Sequence, residues 1–363
     1  MRLLSRYLLG QALAGVAVAG GVTLSAVMLV DVVEQLRSVG ARADLSLTES
    51  LELTLLRLPQ LIEQTLSFIV LAGVMLTFVR LSRRSEITVL RAAGVSPAAL
   101  ALPAAALGAA LGVFVIVAVS PAGSLLLQRY EAQRAQHLGE FARQSSARWL
   151  IRNQGNERII LQAAEVEQGA GAMKGVLLLV YRLDPAEGMR LSRRVDAPRA
   201  EIDRGALVLY DAVETTPTRE PARFERMIAP AGLGLGALDW RQTSPEATPV
   251  QRLPAAIRDA KVSGLESQRY ETRLHEVLSS PLLLAAMALI AVAFSLRLQR
   301  LGGVARWLVF GITAGLAAFF FGEISAALAA VGAVPPLAAA WGPPLAAFFA
   351  ACAAIVTLGE GRA

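Results

Sequence analysis

Residues 8–30 read LLGQALAGVAVAGGVTLSAVMLV, an uncharged run closed by Asp31. A helix of about 20 apolar residues crosses a bilayer, and this run is that long. Arg2 and Arg6 before it also fit the start of a cleaved signal peptide, but a signal core spans only about 7–15 residues. The length therefore favours a span. Working outward, a second apolar run covers Thr65 to Val79 and reaches back to Leu58 across Glu63. A third covers Ala92 to Leu127. Beyond a charged middle come Val277 to Leu296, Trp307 to Val331 with Glu323 inside it, and Val334 to Leu358 with Pro335, Pro336, Pro343 and Pro344.

This pattern predicts a membrane α-helical bundle of six transmembrane helices around one inserted soluble domain. Residues 1–127 hold helices one to three, with a short cytoplasmic helix near 82–94. Residues 128–275 form the insertion with helical stalks, and residues 276–363 hold helices four to six. Composition agrees. The 363 residues are 55% hydrophobic and 18% charged, below the quarter usual in soluble chains, and a disordered chain needs low hydrophobicity. The insertion holds 22 basic and 19 acidic residues. The net charge of +6 is therefore no basic stripe for nucleic acid. One cysteine, Cys352, excludes an intrachain disulfide framework. Two histidines, His137 and His275, argue against a His-rich metal centre.

Basic residues in short loops mark the cytoplasmic side. Arg2 and Arg6, then Arg80, Arg83, Arg84 and Arg91, then Arg297, Arg300 and Arg306 fall on one side of six spans. Both termini are then cytoplasmic and residues 128–275 face outward. The first outer loop runs against this with Arg37, Arg42 and Arg57, offset by Glu34, Asp44, Glu49 and Glu52. The insertion reads as β. Residues 158–162, 176–181 and 206–210 are strand-like, with Gly and Asp-Pro breaks between them, as in a sandwich or jelly roll.

No catalytic constellation emerges: there is no G-x-x-x-x-G-K-[ST], H-E-x-x-H or G-x-S-x-G. The alternating Gly232, Gly234 and Gly236 read as a linker, and His275 as an interfacial helix residue. The chain is expected to be a non-catalytic subunit that binds no cofactor. The segment from Arg80 to Ser96 is more informative. Ser85 is placed to cap a short helix with Glu86 in its first turn, Gly94 to end it, and Ser96-Pro97 to start the next. Two readings stand: a positive-inside loop, or an amphipathic helix that docks a cytoplasmic partner. Glu323 lies mid-span, where charge is costly and usually functional. Asp31, Glu34 and Arg37 end the first helix near one face, either as interfacial caps or as a polar gate for an amphiphile.

The segment Ser85-Glu86-Ile87-Thr88-Val89-Leu90-Arg91-Ala92-Ala93-Gly94-Val95-Ser96 resembles the S-E-[LI]-x-x-[LM]-[RQ]-A-x-G pattern of the LptF/LptG permeases, which extract lipopolysaccharide from the inner membrane of Gram-negative bacteria. Val33-Glu34-Gln35-Leu36-Arg37, Ser263-Gly264 through Arg269-Tyr270, and Val334-Pro335-Pro336 are similar to its LptG branch. The resemblance covers nearly the whole chain. It implies an LptF-like permease as the second half, an LptB-like ATPase dimer that binds ATP and Mg, an LptC-like single-span protein and an LptA-like periplasmic bridge. It also implies a periplasmic β-jellyroll and lipopolysaccharide as substrate. Glu86 then faces the ATPase, with Arg84, Leu90 and Arg91 beside it. Glu34 and Arg37 match charged positions at the top of the first helix, near the lipid phosphates. Met28, Phe68, Val74, Phe319, Phe320 and Glu323 are candidates for the cavity. Relatives often carry a basic residue where this chain has Asp31, so that contact is not carried over; Arg37 or Arg57 is left to compensate. Two rivals remain. One is a permease half of another ABC-type lipid or lipoprotein transporter, disfavoured because those usually place the outer domain after the first of four spans. The other is a membrane-anchored envelope assembly protein.

Overall fold

The computed structural model describes residues 2–37, 46–145, 148–154, 157–166, 172–184, 188–203, 206–217, 219–229, 244–262, 267–301 and 304–360. These divide into two compact units. One comprises residues 1–133, 245–254 and 268–363; the other comprises 134–244 and 255–267.

The first unit is helical. Its elements are α1 (Arg2–Gln35), α2 (Leu47–Arg83), the short α3 (Glu86–Ala92) and α4 (Pro97–Phe114). A π-helical step at Val115–Val119 leads into α5 (Ser120–Ser145). Then come α6 (Leu253–Val262), most of which belongs to the second unit, and α7 (Gln268–Leu301), α8 (Val304–Ala330) and α9 (Pro336–Glu360). Among the described residues six helices are long and apolar enough to cross a membrane, as the six runs predict.

The start of α2 is set by chemistry that hydropathy does not reveal. Ser46 accepts from the Glu49 amide, and the Glu49 carboxylate takes the Ser46 amide at 2.8 Å, a capping box. The helix therefore begins well before the apolar run and carries Glu63 within it. That carboxylate is tolerated because Arg273 of α7 meets it at 2.8 Å. Pro343 and Pro344 lie inside α9 without ending it.

Close helix crossings hold the bundle. A β-carbon on Gly73 would stand 2.5 Å from the Val16 Cα, so α1 and α2 touch backbone to backbone. Thr77 clamps this crossing by donating to the Gly73 carbonyl at 2.8 Å and contacting that of Gln11 at 3.2 Å. A β-carbon on Gly112 would stand 2.2 Å from the Pro281 Cα, which brings α4 equally close to α7. Small residues permit such approach, and in lipid packing has to supply what hydrophobic burial supplies in water. The stretch of α7 from Leu284 to Ala293 lies at the centre of the apolar cluster. By contrast α1 and α8 leave Val22, Leu29, Phe320 and Ile324 open.

The second unit carries β1 (Arg148–Gln154), β2 (Glu157–Val166), β3 (Ala172–Asp184), β4 (Gly188–Asp203), β5 (Ala206–Thr216) and β6 (Arg219–Ile228). They form one antiparallel sheet in the order β1-β2-β3-β4-β5-β6. The inserted domain is thus antiparallel β, with each strand paired to its sequence neighbour. Alternation decides which face is covered: Ile159, Leu161, Leu178, Val180, Val195, Leu207 and Leu209 are all buried in one cluster. The bulge between Val180 and Tyr181 bends the β3–β4 pair. Gly232, Gly234, Gly236 and the Ser263-Gly264 pair lie outside the described residues.

Candidate transport site and docking helix

The loop after α2 folds as the motif spacing predicts, with one difference. Ser85 precedes α3, but its backbone is left-handed at φ 62° and its side chain makes no capping hydrogen bond. The cap expected there is absent: a residue that captures a first-turn amide has an extended backbone, and Ser85 does not. Ser96 does cap α4: its hydroxyl takes the Ala99 amide at 3.2 Å, and Pro97 occupies the first turn.

The two faces of α3 differ in role. Ile87 is fully buried in the helical core, and Leu90 packs against that core. Arg91 is buried too, and its guanidinium reaches the Leu358 carbonyl near the end of α9 at 3.4 Å. Leu90 and Arg91 therefore anchor the helix. Thr88, Val89, Ala92 and Ala93 face outward beside exposed Arg83 and Arg84, and Val89 is 66% exposed. Glu86 is half-buried, and Tyr7 of α1 donates to its carboxylate at 2.7 Å.

At the other end of α1 the three candidate gate charges separate. Asp31 turns inward: Arg57 of α2 meets one oxygen at 2.8 Å and Thr54 donates to the other at 2.9 Å. Arg57 also donates to Gln60 at 3.2 Å and lies 5.9 Å from the Tyr130 ring centroid. Gln35 donates to the Tyr130 hydroxyl at 2.7 Å. Glu34 and Arg37 are exposed and not part of this cluster. Arg57, one of the two cations offered as compensation, is thus committed to Asp31.

Of the apolar candidates, Phe68 of α2 and Phe319 of α8 meet as a tilted pair with centroids 4.7 Å apart, and Phe320 lies 5.7 Å from Phe319 with its ring largely open. Met28 is half-buried on α1. Val74 is fully buried in the core and lines no open wall. Glu323 is exposed on the surface of α8. Sequence reasoning missed Tyr7, Thr54, Gln35, Tyr130 and Arg273. Each is a polar group in or beside an apolar run, and that was the available signal.

Residues 6–358 match the family described as lipopolysaccharide export system permease LptF/LptG. The chain belongs to the LptF/LptG family. It is 25% identical over 314 residues to the lipopolysaccharide export system permease protein LptG of Escherichia coli strain K12, and likewise to that of strain O6:H1, covering 82% of each chain. Placed in that family, α3 is the motif-bearing helix between the second and third spans, and α1 and α8 are the spans whose apolar faces the bundle leaves open. The chain is a multi-pass membrane protein of a lipopolysaccharide export permease family.

Proposed function

We propose that this chain is the permease subunit of an ABC-type exporter in the bacterial inner membrane. It extracts lipopolysaccharide from that membrane and passes it to a periplasmic bridge, driven by ATP hydrolysis in a separate subunit. The family match across residues 6–358 carries this reading. An LptF-like permease completes the cavity, an LptB-like ATPase dimer holds ATP and Mg, and LptC-like and LptA-like proteins receive the lipid. The termini are cytoplasmic and residues 128–275 periplasmic, in keeping with the basic loops.

The chemistry required of this chain is modest. An amphiphile with several acyl chains does not leave a bilayer unaided, since each buried CH2 is worth about 0.8 kcal/mol. The open apolar faces of α1 and α8, with Phe319, Phe320 and Met28, accept those chains sideways. The outward face of α3 takes the push of the ATPase, with Glu86 and Arg84 as its charged contacts and Leu90 and Arg91 fixing it to the bundle. The apolar face of the β sheet receives acyl chains away from water.

Charge reversal at Glu86 tests this. Glu86→Arg is expected to lose the co-purifying ATPase and the lipid-stimulated hydrolysis in reconstituted vesicles. Unchanged assembly and hydrolysis would count against the docking role.

A further inference from the structure

The first-turn acid of α3 is held by a residue 79 positions earlier in the chain. Tyr7 donates its hydroxyl to the Glu86 carboxylate at 2.7 Å, near the start of a helix that runs unbroken from Arg2 to Gln35. On the far side of α3, Arg91 reaches the Leu358 carbonyl of α9. So α3 is tied to three helices: to α2 through a short turn, to α9 through Arg91 and to α1 through Tyr7. The α1 tie is the one that involves the acid assigned to the ATPase contact. It is also the one that reaches the least embedded of these three helices, whose other end carries Asp31 and its contacts with Arg57 and Thr54.

We propose that Tyr7 is a positioning residue, which orients the Glu86 carboxylate and delivers movement of α3 to α1. A hydrogen bond from a neutral donor to a carboxylate is directional and among the stronger kinds. The Tyr7 side chain packs little against its surroundings, at 42% exposure, so removing its oxygen leaves the bundle intact. The proposal rests on the exporter reading: it names the path by which hydrolysis in the partner reaches the gate helix.

The test uses the whole complex in vesicles of lipopolysaccharide and phospholipid, with ATP hydrolysed and lipid released measured together. Tyr7→Phe is expected to assemble with the ATPase, keep the thermal midpoint and hydrolyse ATP within about twofold of the wild type. Lipid released per ATP should fall roughly threefold or more, the size of one typical net hydrogen bond. Glu86→Ala, which removes the acceptor, should lower the same ratio in the complex that assembles, and adding Tyr7→Phe to it should lower it no further, since one contact has been cut twice. An unchanged lipid-to-ATP ratio in Tyr7→Phe overturns the proposal. So does a double variant in which the two losses multiply, and so does loss of ATPase binding in Tyr7→Phe, which would make Tyr7 part of the docking surface. A wild-type complex that lacks an ATPase or releases no lipid would sink the exporter reading itself and is seen before any variant is made.

Discussion

Asp31 and Arg57 form a polar pair whose two members are unequally covered. Asp31 is only 7% exposed and Arg57 31% exposed, so the two charges are unequally dependent on each other. Removing Arg57 leaves a carboxylate facing the bundle with Thr54 alone, whereas removing Asp31 leaves a guanidinium with Gln60, a ring face and partial access to water. Arg57→Ala is therefore expected to cost about 3 kcal/mol, the low end for an orphaned buried charge, and Asp31→Ala about 1 kcal/mol. The double variant should recover part of the Arg57→Ala loss. Thermal midpoints in detergent check the ranking, and a larger loss for Asp31→Ala would contradict it.

At the scale of elements, the helix crossings are the most demanding contacts. Non-bonded carbons sit about 3.5–4.0 Å apart, and a β-carbon on Gly73 would be 2.5 Å from the Val16 Cα. Gly73→Leu should lower stability by about 1–3 kcal/mol or prevent folding, as overpacking does. Gly10 has nothing within 4 Å of its would-be β-carbon, so Gly10→Ala should leave the thermal midpoint of the isolated chain unchanged. In the sheet, Leu178 is fully buried, and Leu178→Ala should cost about 2–5 kcal/mol, read as faster proteolysis of residues 148–229. The long elements were legible in the sequence where one property dominated. The six spans follow from long apolar runs, and β2, β3 and β5 from their Ile, Leu and Val clusters. The strand β4 was not legible because arginines and acids fill its alternate positions, and β6 because Pro221, Glu220, Arg223 and Glu225 break the apolar pattern. The short helix α3 could be read from the order Ser85-Glu86, Gly94, Ser96-Pro97. The partners of Asp31 and Glu86 could not, since they are set by helix crossings 26 and 79 residues apart in sequence.

At the scale of the whole molecule, the bundle pairs a firm centre with two open helices. The core around α7 buries Met287, Ala288, Ala291 and Val292 completely, while α1 and α8 keep long apolar faces uncovered. Such faces belong against lipid or another chain. In the proposed exporter they meet both: an LptF-like half closes the cavity, and acyl chains enter between. The most direct measurement is a mild-detergent pull-down of the tagged protein from its native membrane, with mass spectrometry of proteins and bound lipids. The account predicts an LptF-like permease, an LptB-like ATPase and lipopolysaccharide in one complex. An intact preparation holding neither an ATPase nor a glycolipid would contradict it, and would leave a membrane-anchored binding protein as the better description.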